Sequence, residues 1–288
     1  MRTDVGAPGS ESSAFQPGTL AHRFVFESFG VRVTIESNRD DVLAKARNVV
    51  HTALVGQLTF FESEDRVGGH HFGLTMEPDG TLLLFEEGRR STHSTSEFRV
   101  FKYFDSMVRL TVAENAVDRV FVHSGVVGWK GRAVIFPARS FKGKSRIVAE
   151  LARRGAEYYS DEYAIIGPDG LVHPFPREIT LRGIEHEYWE TPVDVRELGG
   201  KVGTEPIPVG AVILAEFEPD GIWKPEILTL GNGVMEVMMH AIPLRSNTKF
   251  SLKVLNNAFS RAIIAKSSRG EARSAAREIL AYLDEKLN

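Results

Sequence analysis

An α/β fold preceded by an α+β region is predicted for this chain, and three observations carry that prediction. The apolar run Ala133 to Phe136 leads into a Gly- and Lys-bearing octapeptide and then into the helical stretch Ser145 to Arg154, giving the order strand, loop, helix. Short strand-like runs surround it: Val120 to Val127, Glu157 to Ser160 and Val212 to Phe217. Ahead of them, residues 19 to 118 mix alternating strand patterns with helical ones.

With 288 residues, 42% hydrophobic and 25% charged, the chain can bury a core large enough for one big domain or two small ones. The expected division is a flexible Gly/Ser/Pro-rich tail over 1–18, an α+β region over 19–118 and a nucleotide-binding domain over 119–288. A formal net charge of -3 gives no overall footprint for nucleic acid or an anionic membrane, and neither is expected as a partner. The absence of Cys excludes disulfides, thiolate metal sites and cysteine nucleophiles. No apolar stretch approaches bilayer length and the N-terminus lacks the order of a secretion signal, so a cytoplasmic protein is expected.

Taken in order, Phe24, Phe26, Val31, Val33 and Ile35, broken by Gly30, predict a hairpin with one buried face. Asp40 or Asp41 is the expected cap of a helix carrying Val42, Leu43, Ala46, Val49, Val50, Ala53 and Leu54. Leu58 to Phe85 reads as strands with a turn at Pro78-Asp79-Gly80, and His70-His71 reads as loop. Ser94 and Glu97 form a capping-box pattern for a helix carrying Phe98, Phe101, Tyr103, Phe104, Val108 and Leu110. Gly128-Trp129-Lys130-Gly131 is the expected turn joining Val120–Val127 to Ala133–Phe136, a register that sets His123 opposite Phe136. Residues 175 to 208 are Pro- and charge-rich and read as an irregular excursion that shapes an acceptor site. Gly231-Asn232-Gly233 reads as a turn or helix start, and Thr248 to Lys266 and Glu271 to Leu287 as closing amphipathic helices.

The octapeptide Ala138-Arg139-Ser140-Phe141-Lys142-Gly143-Lys144-Ser145 carries the chemistry. A loop of this kind points backbone N–H groups at phosphate oxygens, while a Lys reaches the outer phosphates and a hydroxyl holds Mg²⁺. Gly143, Lys144 and Ser145 stand where those tasks require them, and the helix N-terminus behind them favours anions. The other reading is an ordinary strand-to-helix turn with a surface Lys. Asp161-Glu162 follows a short strand and is expected to face the same crevice, since ligands of open α/β sheets bind at the carboxyl ends of the strands. Taken alone, the acidic pair also fits a solvated turn.

Val122-His123-Ser124-Gly125-Val126-Val127, the loop Ala138 to Ser145, the helix ending at Arg154-Gly155, and Tyr159-Ser160-Asp161-Glu162 together resemble the catalytic domain of HPr kinase/phosphorylase and its relatives. The likeness runs from about residue 119 to 173 and is faint towards Arg269-Gly270-Glu271-Ala272. That family resembles phosphoenolpyruvate carboxykinase in its nucleotide-binding core. The resemblance implies a mixed central sheet flanked by helices and phosphoryl transfer from ATP to a hydroxyl. Ala138 and Phe141 stand where family members often carry glycines, and the downstream signature with which true HPr kinases engage their protein substrate has no match, so HPr is not the expected acceptor.

The assignments that follow are ATP on Ala138 to Ser145, with Lys144 on the β- and γ-phosphates, and Mg²⁺ on Ser145, Asp161 and Glu162. By resemblance, Asp161 accepts or orients the proton of the acceptor hydroxyl, Glu162 assists the metal, and these two roles are interchangeable. His123 is the third catalytic candidate, through a hydrogen bond to Asp161 or a phosphate; a half-buried strand histidine is its alternative. Arg245 and Lys249 are candidates for stabilising the transferring phosphoryl, or surface residues at a helix start. The acceptor is an unidentified small molecule or protein serine, a homo-oligomer is left open, and the competing function is a nucleotide-sensing module without transfer activity.

Overall fold

The computed structural model describes residues 15–61, 69–138, 143–182, 190–242 and 247–287, without the side chains of residues 182 and 190. The chain divides into two compact units, Met1–Val112 and Ala113–Asn288. Among the described residues no helix is long and apolar enough to cross a membrane.

In the first unit, β1 (His22–Ser28) and β2 (Val31–Ser37) form the expected hairpin, closed by Phe29 and Gly30 at φ 49° and 75°. Two left-handed residues match the twist of the flanking strands. Helix α1 (Asp40–Ala53) buries Val42, Leu43, Ala46, Val50 and Ala53. Its N-cap is Arg39, not an aspartate: Asp40 and Asp41 sit one step further on, in the first turn, where carboxylates still favour the helix dipole. Strands β3 (Thr59–Phe61), β4 (His70–Met76), β5 (Leu82–Glu86) and β6 (Arg89–Ser94) complete a sheet ordered β3-β1-β2-β4-β5-β6.

Three further expectations are corrected in this unit. His70-His71 opens β4 and is strand, not loop. The capping box ahead of α2 (Glu97–Asn115) does not form, because Ser94 Oγ accepts from the Ser96 N–H at 3.0 Å and the Glu97 carboxylate takes the Lys45 ammonium at 2.6 Å. The stretch expected as a flexible tail is attached from Phe15 onward: the ring lies 5.5 Å from that of Phe85, and its N–H donates to the Gly88 carbonyl at 3.1 Å. Residues 1–14 lie outside the described residues.

The second unit opens with β7 (Val120–Trp129) and β8 (Arg132–Pro137). Their turn is two residues rather than four, Lys130 at φ 51° and Gly131 at φ 71°. Trp129 therefore pairs with Arg132 and Gly125 with Phe136, two places from the expected register. His123 passes beyond Phe136, and its carbonyl accepts from the Ala138 N–H at 3.4 Å. Helix α3 (Lys144–Arg153) follows, then β9 (Glu157–Ser160), β10 (Tyr163–Ile166) and β11 (Leu171–His173).

Residues 175–208 are more regular than their composition suggests. They contain the hairpin β12 (Ile179–Arg182) and β13 (Glu190–Val193), a 3-10 turn at Val195–Leu198 and β14 (Lys201–Val202). Elements this short leave too few repeats for a period to show. Next come β15 (Ile207–Phe217), β16 (Glu226–Ile227), α4 (Leu230–Met238), α5 (Thr248–Phe259), β17 (Ile263–Arg269) and α6 (Ala272–Lys286). The helix expected to reach Lys266 thus ends at Phe259, and the chain returns as a strand parallel to β15. Ile263, Ile264 and Ala265 are apolar in either periodicity, so their pairing with Ala211 to Ile213 decides.

Within the described residues the second unit holds a nine-stranded mixed sheet ordered β14-β9-β7-β10-β11-β15-β17-β16, with β8 pairing both β15 and β7. Strands β8, β15 and β17 run parallel, so their carboxyl ends at Pro137, Phe217 and Arg269 share one edge. Val134 and Phe136 join a core with α3 and α6, while Ala133 and Ile135 join a second core with α4 and α5. Both faces of the sheet are therefore covered by helices, which explains the near-continuous apolar runs of its central strands.

Candidate functional site

The site lies where β8 hands over to α3. Gly143 is the N-cap of α3 in the left-handed conformation (φ 77°, ψ 23°), which lets the chain swing into the helix. A Cβ there would also stand 2.8 Å from Arg269 Nη2. On the sheet side, Gly125 admits the helix: a Cβ at that position would lie 2.5 Å from Val148 Cγ2. Arg139, Ser140, Phe141 and Lys142 lie outside the described residues, as does Arg245.

Lys144 is the first residue of α3 and is buried, at 8% exposure. Its Nζ donates to the Ala138 carbonyl at 2.9 Å and lies 3.2 Å from His123 Nε2. With Lys144 as an ammonium, Nε2 accepts and the His123 proton sits on Nδ1. His123 is held in turn by its own N–H, which donates to the His240 carbonyl at 2.9 Å. Burial lowers the Lys144 pKa to about 8, against the opposing pull of the Asp161 carboxylate.

Ser145 Oγ donates to Asp161 Oδ2 at 2.8 Å. The acidic pair occupies a tight turn between β9 and β10 that is built by two serines. Ser160 Oγ accepts from the N–H groups of Glu162 and Tyr163 at 3.1 and 3.0 Å, and the Ser124 N–H donates to the Glu162 carbonyl at 2.9 Å. Burial raises the Asp161 pKa; hydrogen bonds from Ser145, from Tyr158 and from the Thr180 N–H, with the nearby Arg177 guanidinium, act the other way.

Three participants escape the sequence reading. Tyr158 Oη lies 3.1 Å from Asp161 Oδ1 and 2.7 Å from the Arg177 carbonyl, two acceptors for one hydroxyl proton. Arg177 Nη1 donates to Glu162 Oε2 at 3.1 Å. Arg269, 3% exposed at the end of β17, donates from Nη2 to the Gly143 carbonyl and from Nη1 to that of Gly270, each at 3.1 Å. The Pro-Phe-Pro-Arg run at 174–177 was a usable signal for Arg177, because two prolines fix the backbone around it. Lys249 is exposed in the first turn of α5.

Ser145, Asp161 and Glu162 present only oxygen donors, the set that suits a hard cation such as Mg²⁺. The hydroxyl of Ser145 already touches the Asp161 carboxylate, so these residues fit that ion. Among the described residues no group of three or more His, Cys, Asp or Glu side chains converges on one metal position. Mg²⁺ sites commonly take one or two carboxylates and draw their other ligands from water and phosphate.

No family model matches the chain, and no curated protein matches it. Among solved structures, the Hpr(Ser) kinase/phosphatase from Coxiella burnetii is similar over 58% of this chain and 97% of that one, at 12% identity and a TM-score of 0.31. A likeness of that strength supports no functional statement.

Proposed function

We propose that the chain is an ATP- and Mg²⁺-dependent phosphotransferase of the HPr-kinase-like type, acting on a serine-like or small-molecule hydroxyl. The observation that carries the reading is the contact between Ser145 Oγ and Asp161 Oδ2, which joins the hydroxyl of a phosphate-loop pattern to the carboxylate expected to work with it. A buried ammonium at the first residue of α3 and helix N–H groups beside it add the positive field that a triphosphate needs. Ser145, Asp161 and Glu162 would hold Mg²⁺, which would supply neutralisation of the negative charge on the transferring phosphoryl group.

In this reading Lys144 leaves the Ala138 carbonyl for the β- and γ-phosphates, and Gly143 and Ser145 cradle them together with residues 138–142. Asp161 accepts or orients the proton of the acceptor hydroxyl, Glu162 assists the metal, and His123 keeps Lys144 in place. Phosphoryl transfer asks mainly for positioning and charge neutralisation, which this set supplies. The test compares ATP-dependent thermal shifts of the wild type and Lys144→Ala, with and without Mg²⁺. A shift confined to the wild type and enlarged by Mg²⁺ is expected. Equal responses in the two proteins defeat the assignment of the loop, and binding without turnover on any hydroxyl acceptor favours the nucleotide-sensing alternative.

A further inference from the structure

We propose that Phe217 is the platform on which the base of a nucleoside triphosphate stacks, so that the ligand is held at two ends, its phosphates at the N-terminus of α3 and its base at the end of β15. This rests on the nucleotide-binding reading above and adds to it the place of the base.

The strand register brings the ring there. Ile213 and Ala215 lie on the face of β15 that packs with α3 and α6, and alternation puts Phe217 on that face as well. Ala265 lies on the same face of β17, and so does Arg269, which stands opposite Phe217 where the two parallel strands end. Ile213 is fully buried, whereas Phe217 runs past the core and is 38% exposed. The Arg269 guanidinium lies over the Phe217 ring, 5.4 Å from its centroid, and its Nη2 donates to the Gly143 carbonyl at 3.1 Å. Ring and helix N-cap are thus separated by the width of one guanidinium. The turn that follows fixes the backbone under the ring. The Glu218 N–H donates to the Arg269 carbonyl at 3.0 Å and the Gly221 N–H to the Glu218 carbonyl at 3.0 Å, while a Cβ at Gly221 would stand 2.6 Å from the Arg269 carbonyl oxygen.

A partly exposed Phe is ordinary on a protein surface, and its place is what gives this one a role. On one side of Arg269, the N-terminus of α3 and the Lys144 ammonium select anionic oxygens. On the other side, a flat apolar ring backed by a guanidinium suits a second flat π-system. A nucleoside triphosphate carries both groups at the two ends of one molecule. Every base offers a π-face, so stacking of this kind discriminates little between bases.

The test separates base from phosphates with two ligands, a non-hydrolysable ATP analogue and inorganic tripolyphosphate, each titrated with Mg²⁺ present by calorimetry. Melting curves check that Phe217→Ala and Phe217→Tyr fold. Phe217→Ala is expected to bind the analogue about tenfold more weakly than the wild type while binding tripolyphosphate equally well, and Phe217→Tyr, which keeps the ring, is expected to bind both as the wild type does. Unchanged affinity of Phe217→Ala for the analogue overturns the proposal. An equal loss for both ligands overturns it too, since the ring would then act only by steadying Arg269. If the wild type binds neither ligand, the nucleotide-binding reading itself fails and the proposal falls with it.

Discussion

Ser145 in the first turn of α3 and Asp161 in the turn after β9 are joined by a single hydrogen bond of 2.8 Å. That bond ties the helix that follows the phosphate-loop pattern to the strand edge that presents the acidic pair, and it sets the expected behaviour of the Asp161 variant. Asp161→Asn keeps an oxygen for Ser145 and nearly the same volume, but it cannot accept a proton. Transfer is expected to fall on the order of 1000-fold, with affinity for a non-hydrolysable ATP analogue little changed. The check is a single-turnover rate beside a binding isotherm. Loss of binding in step with loss of rate would place Asp161 in nucleotide recognition and not in chemistry.

Lys144 gives a pH-dependent prediction for the ligand-free protein. Its folded pKa of about 8 lies below the ordinary lysine value of 10.5, because burial disfavours the ammonium. Between those two values the unfolded chain binds more protons than the folded one, so this group makes stability rise with pH across that window. Below about pH 8 its cost is present in full, on the order of 3 kcal/mol before screening by water. Lys144→Met removes the charge and keeps most of the volume. The variant is expected to melt higher than the wild type at pH 7, and the gap should shrink as pH approaches 10.5. Other titrating groups are common to both proteins and cancel in the difference. A gap that stays constant from pH 7 to 10.5 would count against a buried ammonium. The same variant should show no ATP-induced shift, so stability gained is recognition lost.

How much of this was legible in the sequence depends on whether the information was local. Gly143, Lys144 and Ser145 are readable because a strand, a loop and a helix follow one another directly, and Asp161 because it closes the next strand. The hairpin register differs from the expected one because Gly128 reads as the start of a turn but stays in the strand opposite Ala133, while Lys130 and Gly131 close the turn by themselves at positive φ. Tyr158 hides in a Tyr-Tyr pair whose two rings point to opposite faces of β9, and only one of them reaches Asp161. Arg269 is invisible locally, since its approach to Gly143 depends on β17 running parallel to β15 and β15 parallel to β8. No periodicity encodes which distant strands become neighbours.

Tyr158→Phe separates positioning from packing. The ring stays buried, while the Arg177 carbonyl loses its 2.7 Å donor and Asp161 Oδ1 loses a neighbour at 3.1 Å. A stability loss of about 1 to 2 kcal/mol is expected from the abandoned carbonyl, measured by urea unfolding. The functional effect should fall on the transfer rate, since no contact of Tyr158 reaches Lys144 or Gly143 directly among those that define the turn. An unchanged rate beside the expected stability loss would leave Tyr158 as a structural tether of the Pro-Phe-Pro-Arg segment.

Gly125 links the sheet to the site through one methyl-sized gap. Val148 Cγ2 fills the place where a side chain on β7 would begin, at 2.5 Å from the Cβ of a Gly125→Ala variant, a distance that real atoms do not share. Because Val148 is fully buried, it cannot swing away, and α3 must shift or the strand must bend. A cost of about 1 to 3 kcal/mol is expected, typical of overpacking. Lys144 and Ser145 ride on the same helix, so a shift of α3 should also reduce the ATP-induced thermal shift by more than the stability loss alone explains. Val148→Ala vacates the contested space. By itself it should destabilise through the cavity it leaves, but combined with Gly125→Ala it should recover part of both losses, a coupling of about 1 kcal/mol or more. Additive losses in the double variant would count against the approach of Val148 as the reason for glycine at position 125.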